Sequence, residues 1–179
     1  MPFTPYHFGP SGFVGLLLRK WIDIPVFVLA NVIVDIEVLL VMVLRLRGPS
    51  HRYSHTLLIG AAVGTLWGMA AYPLRPLFRK MMHGLRLPHE TSFWKMAVSG
   101  MLGACTHVLI DGAYHHDVGV FWPSTRISLL RIVQDHISRG QIRIACVALF
   151  VAAVVYVLLL FRSGSNAADD GISSEGQQL

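Results

Sequence analysis

Apolar residues in this chain come in long unbroken runs, and the polar ones gather between them. Val26 to Leu44 is the first such run. At about 1.5 Å per residue a helix over it extends roughly 28 Å, close to the hydrocarbon thickness of a bilayer. Leu57 to Tyr72, Met96 to Ile110 and Ile142 to Phe161 repeat the pattern, which predicts four spans. Ahead of them a short helix is expected from Ser11, as its cap, through Arg19 and Lys20, too short to cross. Asp23-Ile24-Pro25 then turns the chain, with Pro suited to the first helical position of the first span. Pro73 to Lys95 reads as a basic loop holding a short surface helix, and 112–141 as a long, partly amphipathic connection. The expected fold is all-α: an integral membrane helical bundle of about four transmembrane helices plus a short N-terminal helix. Residues 1–162 form one membrane-embedded domain, and 163–179, rich in Gly, Ser, Asn, Asp and Gln, form a disordered tail.

Composition supports a second, apolar solvent. The chain is 54% hydrophobic and only 14% charged, where a soluble domain carries roughly 25% charged residues. Its net charge of +5 comes mostly from bases between the apolar runs, where anionic headgroups flank membrane helices. Membrane lipids are therefore expected partners. Nucleic acid is not, since no basic patch is interleaved with aromatics. Cys105 and Cys146 both fall in apolar runs and make no disulfide framework. The start has no basic n-region and is punctuated by Pro2, Pro5 and Pro10, unlike a cleavable signal peptide.

The candidate chemistry lies where ionisable residues interrupt apolar ones. On a helix His107, Asp111 and His115 stand at i, i+4 and i+8 and share a face. Imidazoles and a carboxylate one turn apart are the donors a helix offers to a metal ion. Asp35 and Glu37 lie inside the first span, where a carboxylate costs about 2.5–3.5 kcal/mol on insertion scales unless it finds partners. His51 and His55 stand at i, i+4 between the first two spans. Because the second span carries the chain away and the third returns it, these clusters meet on one membrane side. His7 joins them if residues 11–44 form a helical hairpin. Asp35 and Glu37 are about 200° apart around an ideal helix, so both cannot face one point. Either the helix unwinds locally or one carboxylate stands behind the ligands, and Asp35 is the inward one because Asn31 shares its face. His83, His89 and His136 have no partner at useful spacing and are assigned to the surface. Glycines 60, 64, 68, 100 and 103 are assigned to packing.

These motifs together resemble a bacterial family of small inner-membrane proteins, associated with LexA regulation and described as metal-dependent hydrolases. The resemblance is carried by Met1 to Pro10, by Leu29-Ala30-Asn31-Val32-Ile33-Val34-Asp35-Ile36-Glu37, and by His51-Arg52-Tyr53-Ser54-His55-Thr56. Its last piece runs from His107 through Asp111, His115, His116 and Asp117 to Phe121-Trp122-Pro123. It implies metal-site positions at His7, Asp35, Glu37, His55, His107 and Asp111, and a place in the cell inner membrane. The family is distantly similar to zinc-dependent phospholipases C, which also use His-x-x-x-Asp on a helix.

Nitrogen and oxygen donors without cysteine suit Zn²⁺, with Mn²⁺ or Fe²⁺ as alternatives. The expected activity is hydrolysis of a phosphoester or lipid-like substrate by a metal-activated water, with Glu37 or Asp117 taking the proton. The rival is a membrane protein without catalysis: a structural metal site, or a metal or proton carrier. Transport needs polar groups leading to both faces, and the second and fourth runs carry almost none.

Overall fold

The computed structural model describes residues 7–47, 53–123, 129–134 and 136–175. Among them every regular element is helical: α1 Phe8–Leu17, α2 Ile24–Val43, α3 Leu57–Ala70, α4 Arg75–Gly84, α5 Phe93–Tyr114, α6 Leu129–Gln134 and α7 Arg139–Glu175. Three helices are long and apolar enough to cross a membrane: α2, α5, and α7 from Arg139 to Arg162. The fourth span is broken. With 14 residues, α3 reaches only about 21 Å at 1.5 Å per residue, and a 46° bend separates it from the Tyr72–Gly84 segment. Pro73 and Pro76 explain the bend, since each removes a backbone donor and crowds the turn before it. Beyond the bend α4 lies as an amphipathic surface helix, burying Phe78 and Met82 while Arg75, Arg79 and Lys80 stay exposed.

Two helix ends differ from the sequence expectation. Ser11 does not cap α1. The helix already begins at Phe8, and Ser11 Oγ donates to His7 O at 2.6 Å from within it. Pro10 is tolerated because it stands in the first turn, where the backbone N–H groups have no helical acceptor. At the other end α7 runs on to Glu175, past the apolar run that ends at Phe161. Extending an established helix costs far less than nucleating one. Elsewhere the caps are conventional. Asp23 Oδ1 accepts from Val26 N, Thr56 Oγ1 from Ile59 N, and Ser92 starts α5.

The centre of the bundle is α5, which lies along both α3 and α2. Small residues let it approach. A Cβ at Gly64 would meet Gly100 and Ala104 of α5, and one at Gly103 would meet the Phe27 backbone of α2. The core between them is Ala30, Val34, Ala104 and Val108, closed at one end by Val118 and Val120. In contrast, α7 is peripheral: only 11% of its apolar window is buried, against 44% for α2 and α5. Its main neighbour is α1, held close because Gly9 sits against the backbone of Cys146 and Phe150.

Candidate metal centre

Four elements deliver the polar groups to one end of the bundle. Asp35 comes from the middle of α2, His107 and Asp111 from successive turns of α5, and His7 immediately precedes α1. His55 comes from the connection between α2 and α3, which is pinned on three sides. Leu57 N donates to Val120 O at 2.9 Å, Ser54 Oγ to Val34 O at 3.2 Å, and Ser54 N to Glu37 Oε2 at 3.0 Å. Asp35, His55, His107 and Asp111 are all buried.

Their donor atoms form a compact set, all within 4.8 Å of one another. His107 Nε2 lies 3.4 Å from His55 Nε2, 3.3 Å from Asp35 Oδ1 and 3.3 Å from Asp111 Oδ2. His55 Nε2 lies 3.5 Å from Asp35 Oδ1 and 3.4 Å from Asp111 Oδ2. Bonds of about 2.0–2.1 Å to one tetrahedral metal would set donors about 3.3–3.4 Å apart. The residues therefore fit a divalent metal in both spacing and charge. Two buried carboxylates this close repel unless a cation stands between them, and a divalent ion would balance both. Metal binding at this group is supported by geometry; the identity of the ion is not fixed by it.

Around these four, second contacts hold the rings. His7 Nε2 is 2.8 Å from Asp111 Oδ1, the oxygen turned away from the cluster, and its ring stacks on His107 at 4.4 Å. His115 Nε2 approaches the same oxygen at 4.0 Å. Neither His7 nor His115 joins the four-donor group: Asp35, His55, His107 and Asp111 converge as donors, and His7 and His115 flank one of them.

Glu37 resolves the helix-face conflict. There is no unwinding: α2 is continuous from Ile24 to Val43, and the carboxylate turns away from the cluster. Its oxygens accept from Tyr53 N at 3.0 Å and from Ser54 N and Oγ, and Oε2 lies 3.6 Å from His55 Nδ1. Glu37 thus stands behind the ring whose Nε2 enters the donor set. That is the place of an orienting carboxylate. Asp117 is half-buried in the connection after α5, outside the four-donor group. Burial opposes the charged form of His55, but Asp111, Asp35 and Glu37 outweigh it and push its pKa up to about 10. His51 and Arg52 lie outside the described residues.

One histidine assigned to the surface is half-buried, with its side chain turned inward. His89 Nε2 lies 2.9 Å from Asp23 Oδ2 at the opposite end of the bundle, where Thr91 Oγ1 also donates to that oxygen at 2.6 Å. No spacing rule joins residues this far apart in sequence; only Asp23, directly ahead of Ile24-Pro25, carried a local signal as a helix cap. His83 and His136 are exposed, as expected.

A narrow crevice of about 20 Å³, room for about one water, lies between α5 and α7 and reaches Asp111. His7, His115, Arg143, Ile142 and Cys146 also line it, and the surface it offers is almost wholly apolar. The chain matches no family model, no curated protein and no solved structure.

Proposed function

We propose that this is a membrane-embedded, metal-dependent hydrolase acting on a phosphoester or lipid-like substrate. The observation that carries the reading is the set of four buried donors at tetrahedral spacing beside a crevice that reaches Asp111. Motifs resembling the LexA-associated inner-membrane family support the same activity and a place in a bacterial inner membrane. The two-imidazole, two-carboxylate set supports Zn²⁺, with Mn²⁺ or Fe²⁺ as alternatives.

Asp35, His55, His107 and Asp111 would hold the ion, which when bound supplies Lewis acidity and activates water for attack. Glu37 orients His55 from its Nδ1 side. His7 and His115 flank the outer oxygen of Asp111 on the crevice wall. An imidazole backed by a carboxylate is suited to hold or move a proton there. Asp117, two residues beyond His115, is the carboxylate that would pass it on.

The test is metal content per folded chain, followed by a screen of phosphoesters. One divalent ion per chain and turnover that chelation abolishes are expected; a chain isolated without metal and unable to bind Zn²⁺, Mn²⁺ or Fe²⁺ overturns the reading. One observation favours a structural site instead: four protein donors complete a tetrahedron, whereas catalytic sites keep a position open. Chelation separates the two. A catalytic protein stays folded without its ion, and a structural one unfolds.

A further inference from the structure

At the end of the bundle away from the metal centre, Arg86 and Lys95 are spent on backbone carbonyls. Arg86 donates to Phe161 O at 2.7 Å, and Lys95 Nζ to Lys20 O at 3.2 Å and Glu90 O at 2.7 Å. Arg19 is placed differently. It is half-buried in the turn after α1, donates to the Tyr156 hydroxyl of α7, and stands 5.5 Å from the centre of that ring. A guanidinium offers several N–H donors in a fixed fork, and a tyrosine hydroxyl that accepts one still has its own hydrogen to give. Among the described residues neither the rest of the fork nor the Tyr156 hydrogen meets a hydrogen-bond acceptor.

Arg19, Lys20 and Tyr156 line a pocket of about 170 Å³ between α1 and α7, together with Phe13, Leu16 and Leu17. A cavity of about 150 Å³ admits a benzene-sized guest, so this one has room for a phosphate and the first carbons bonded to it. Unlike the crevice between α5 and α7, it has a lining that is in part polar. No carboxylate shares it. Arg19 and Lys20 form no ion pair among the described residues, and Asp23, in the same turn, is already taken by Val26 N, His89 and Thr91.

The pocket lies near headgroup depth. Trp21, in the same turn as Arg19, is 78% exposed, and tryptophan gathers at membrane interfaces. Tyr156 stands about 9 Å along α7 from Arg162, where the span ends, and about 20 Å from Arg143 beside the metal centre. Leu17 is 66% exposed, so the apolar wall continues onto the outer surface of α1.

We propose that this pocket binds one anionic phospholipid, with its phosphate between Arg19, Lys20 and the Tyr156 hydroxyl and an acyl chain along Phe13 and Leu17. The guanidinium fork matches phosphate through parallel charge-assisted bonds. Two cations without an acid select a headgroup of net negative charge, and a zwitterionic one brings its own cation towards Lys20. The apolar wall makes the occupant a lipid rather than a soluble phosphate. The site does not rest on the hydrolase reading, because it shares no residue with the four-donor group.

Calorimetric titration of the full chain in detergent tests this with dihexanoyl phosphatidylglycerol, dihexanoyl phosphatidylcholine and glycerol phosphate. The phosphatidylglycerol should bind at about one per chain, and about tenfold more tightly than either of the others. Arg19→Gln should weaken it by about tenfold or more, the loss of a charge-assisted pair. Tyr156→Phe keeps the ring and its packing and should cost about fivefold, one neutral hydrogen bond. Lys80→Gln, an exposed base of α4 outside the pocket, should stay within about twofold. Circular dichroism checks that each variant is folded. Parent affinity in Arg19→Gln overturns the proposal, and Tyr156→Phe decides it alone should Arg19→Gln fail to fold. A loss in Lys80→Gln as large as that in Arg19→Gln also overturns it, since the attraction would then belong to the whole basic end. Phosphatidylcholine binding as tightly as phosphatidylglycerol removes the charge selection, and glycerol phosphate doing so removes the lipid.

Discussion

The two ends of the bundle each bury histidine against aspartate, and they use the pair differently. At the α1–α2 turn, Asp23 is saturated by the protein itself. Oδ1 caps α2 through Val26 N, and Oδ2 takes His89 and the Thr91 hydroxyl. Asp23 N meets Ser99 Oγ at 2.7 Å, which ties the turn to α5. At the other end Asp35 has only the imidazoles of His55 and His107 within reach among the described residues. The imidazole nitrogens there face one another as well as the carboxylates. A carboxylate with backbone and hydroxyl donors is finished as a structural latch. A group in which nitrogens and oxygens all point at one another is complementary to a cation. Residue type does not separate the two ends; the source of the hydrogens does.

Asp111→Asn should show the difference at its largest. Asn keeps the size of Asp, so packing is barely disturbed, but a neutral amide is a poor ligand and cannot balance a divalent charge. Metal per folded chain should fall from about one to near zero, with helicity and insertion retained, while His83→Ala, on the exposed face of α4, keeps full metal. Retention of metal by Asp111→Asn would remove the α5 array from the site. Asp23→Ala should do the opposite. It removes a helix cap and strips two half-buried partners of their acceptor, for a loss of about 2–4 kcal/mol of stability, read from the unfolding midpoint in detergent. Its metal content should not change. If it does, the two ends are coupled and the contrast between latch and centre fails.

Much of this was legible before the fold was known. The apolar runs located α2, α5 and α7 to within a few residues, because a bilayer-length run admits little else. The chain's alternation across the bilayer brought His7, His55, His107 and Asp111 to one end. The break after α3 was legible as well: the second apolar run ends at Tyr72, and the segment from Pro73 was expected to hold the short surface helix that is α4. Glu37 was legible only as a conflict: 200° from Asp35, it had to face something else. What it faces, the backbone of Tyr53 and Ser54, belongs to a loop whose path no periodicity describes. His89 was invisible for the same reason, since its partner lies across the bundle.

Glu37→Gln sharpens the contrast from within the centre. Gln still accepts hydrogen bonds but loses the charge behind His55 Nδ1. Loss of such an orienting partner lowers metal affinity by about 10–100-fold. Competition with a chelator of known affinity measures it. An affinity equal to the parent's would mean that Glu37 serves only the 53–56 loop, in which case the unfolding midpoint should fall instead.

The smallest expected effect is graded with pH, and its sign differs for the two properties it touches. Without metal, His55 in the folded chain keeps its proton up to about 10, against an ordinary value of 6.5. A raised folded value means that the stability His55 contributes is fully present below 6.5 and is lost as pH rises through the window to about 10. Metal binding runs the other way, because Nε2 must be neutral to be a ligand, so each ion bound displaces this proton. Affinity should therefore rise by about tenfold per pH unit across the same window, one proton being released. The metal-free chain should grow less stable over that range while the loaded chain stays level, because the gain in affinity offsets the loss. Titrating affinity and unfolding midpoint together between pH 6.5 and 9 checks both slopes. His89→Gln, which alters only the far end, should leave both in place. Affinity flat with pH would mean that His55 is already neutral before the ion arrives, and the carboxylates around it would then need the metal more than the proton.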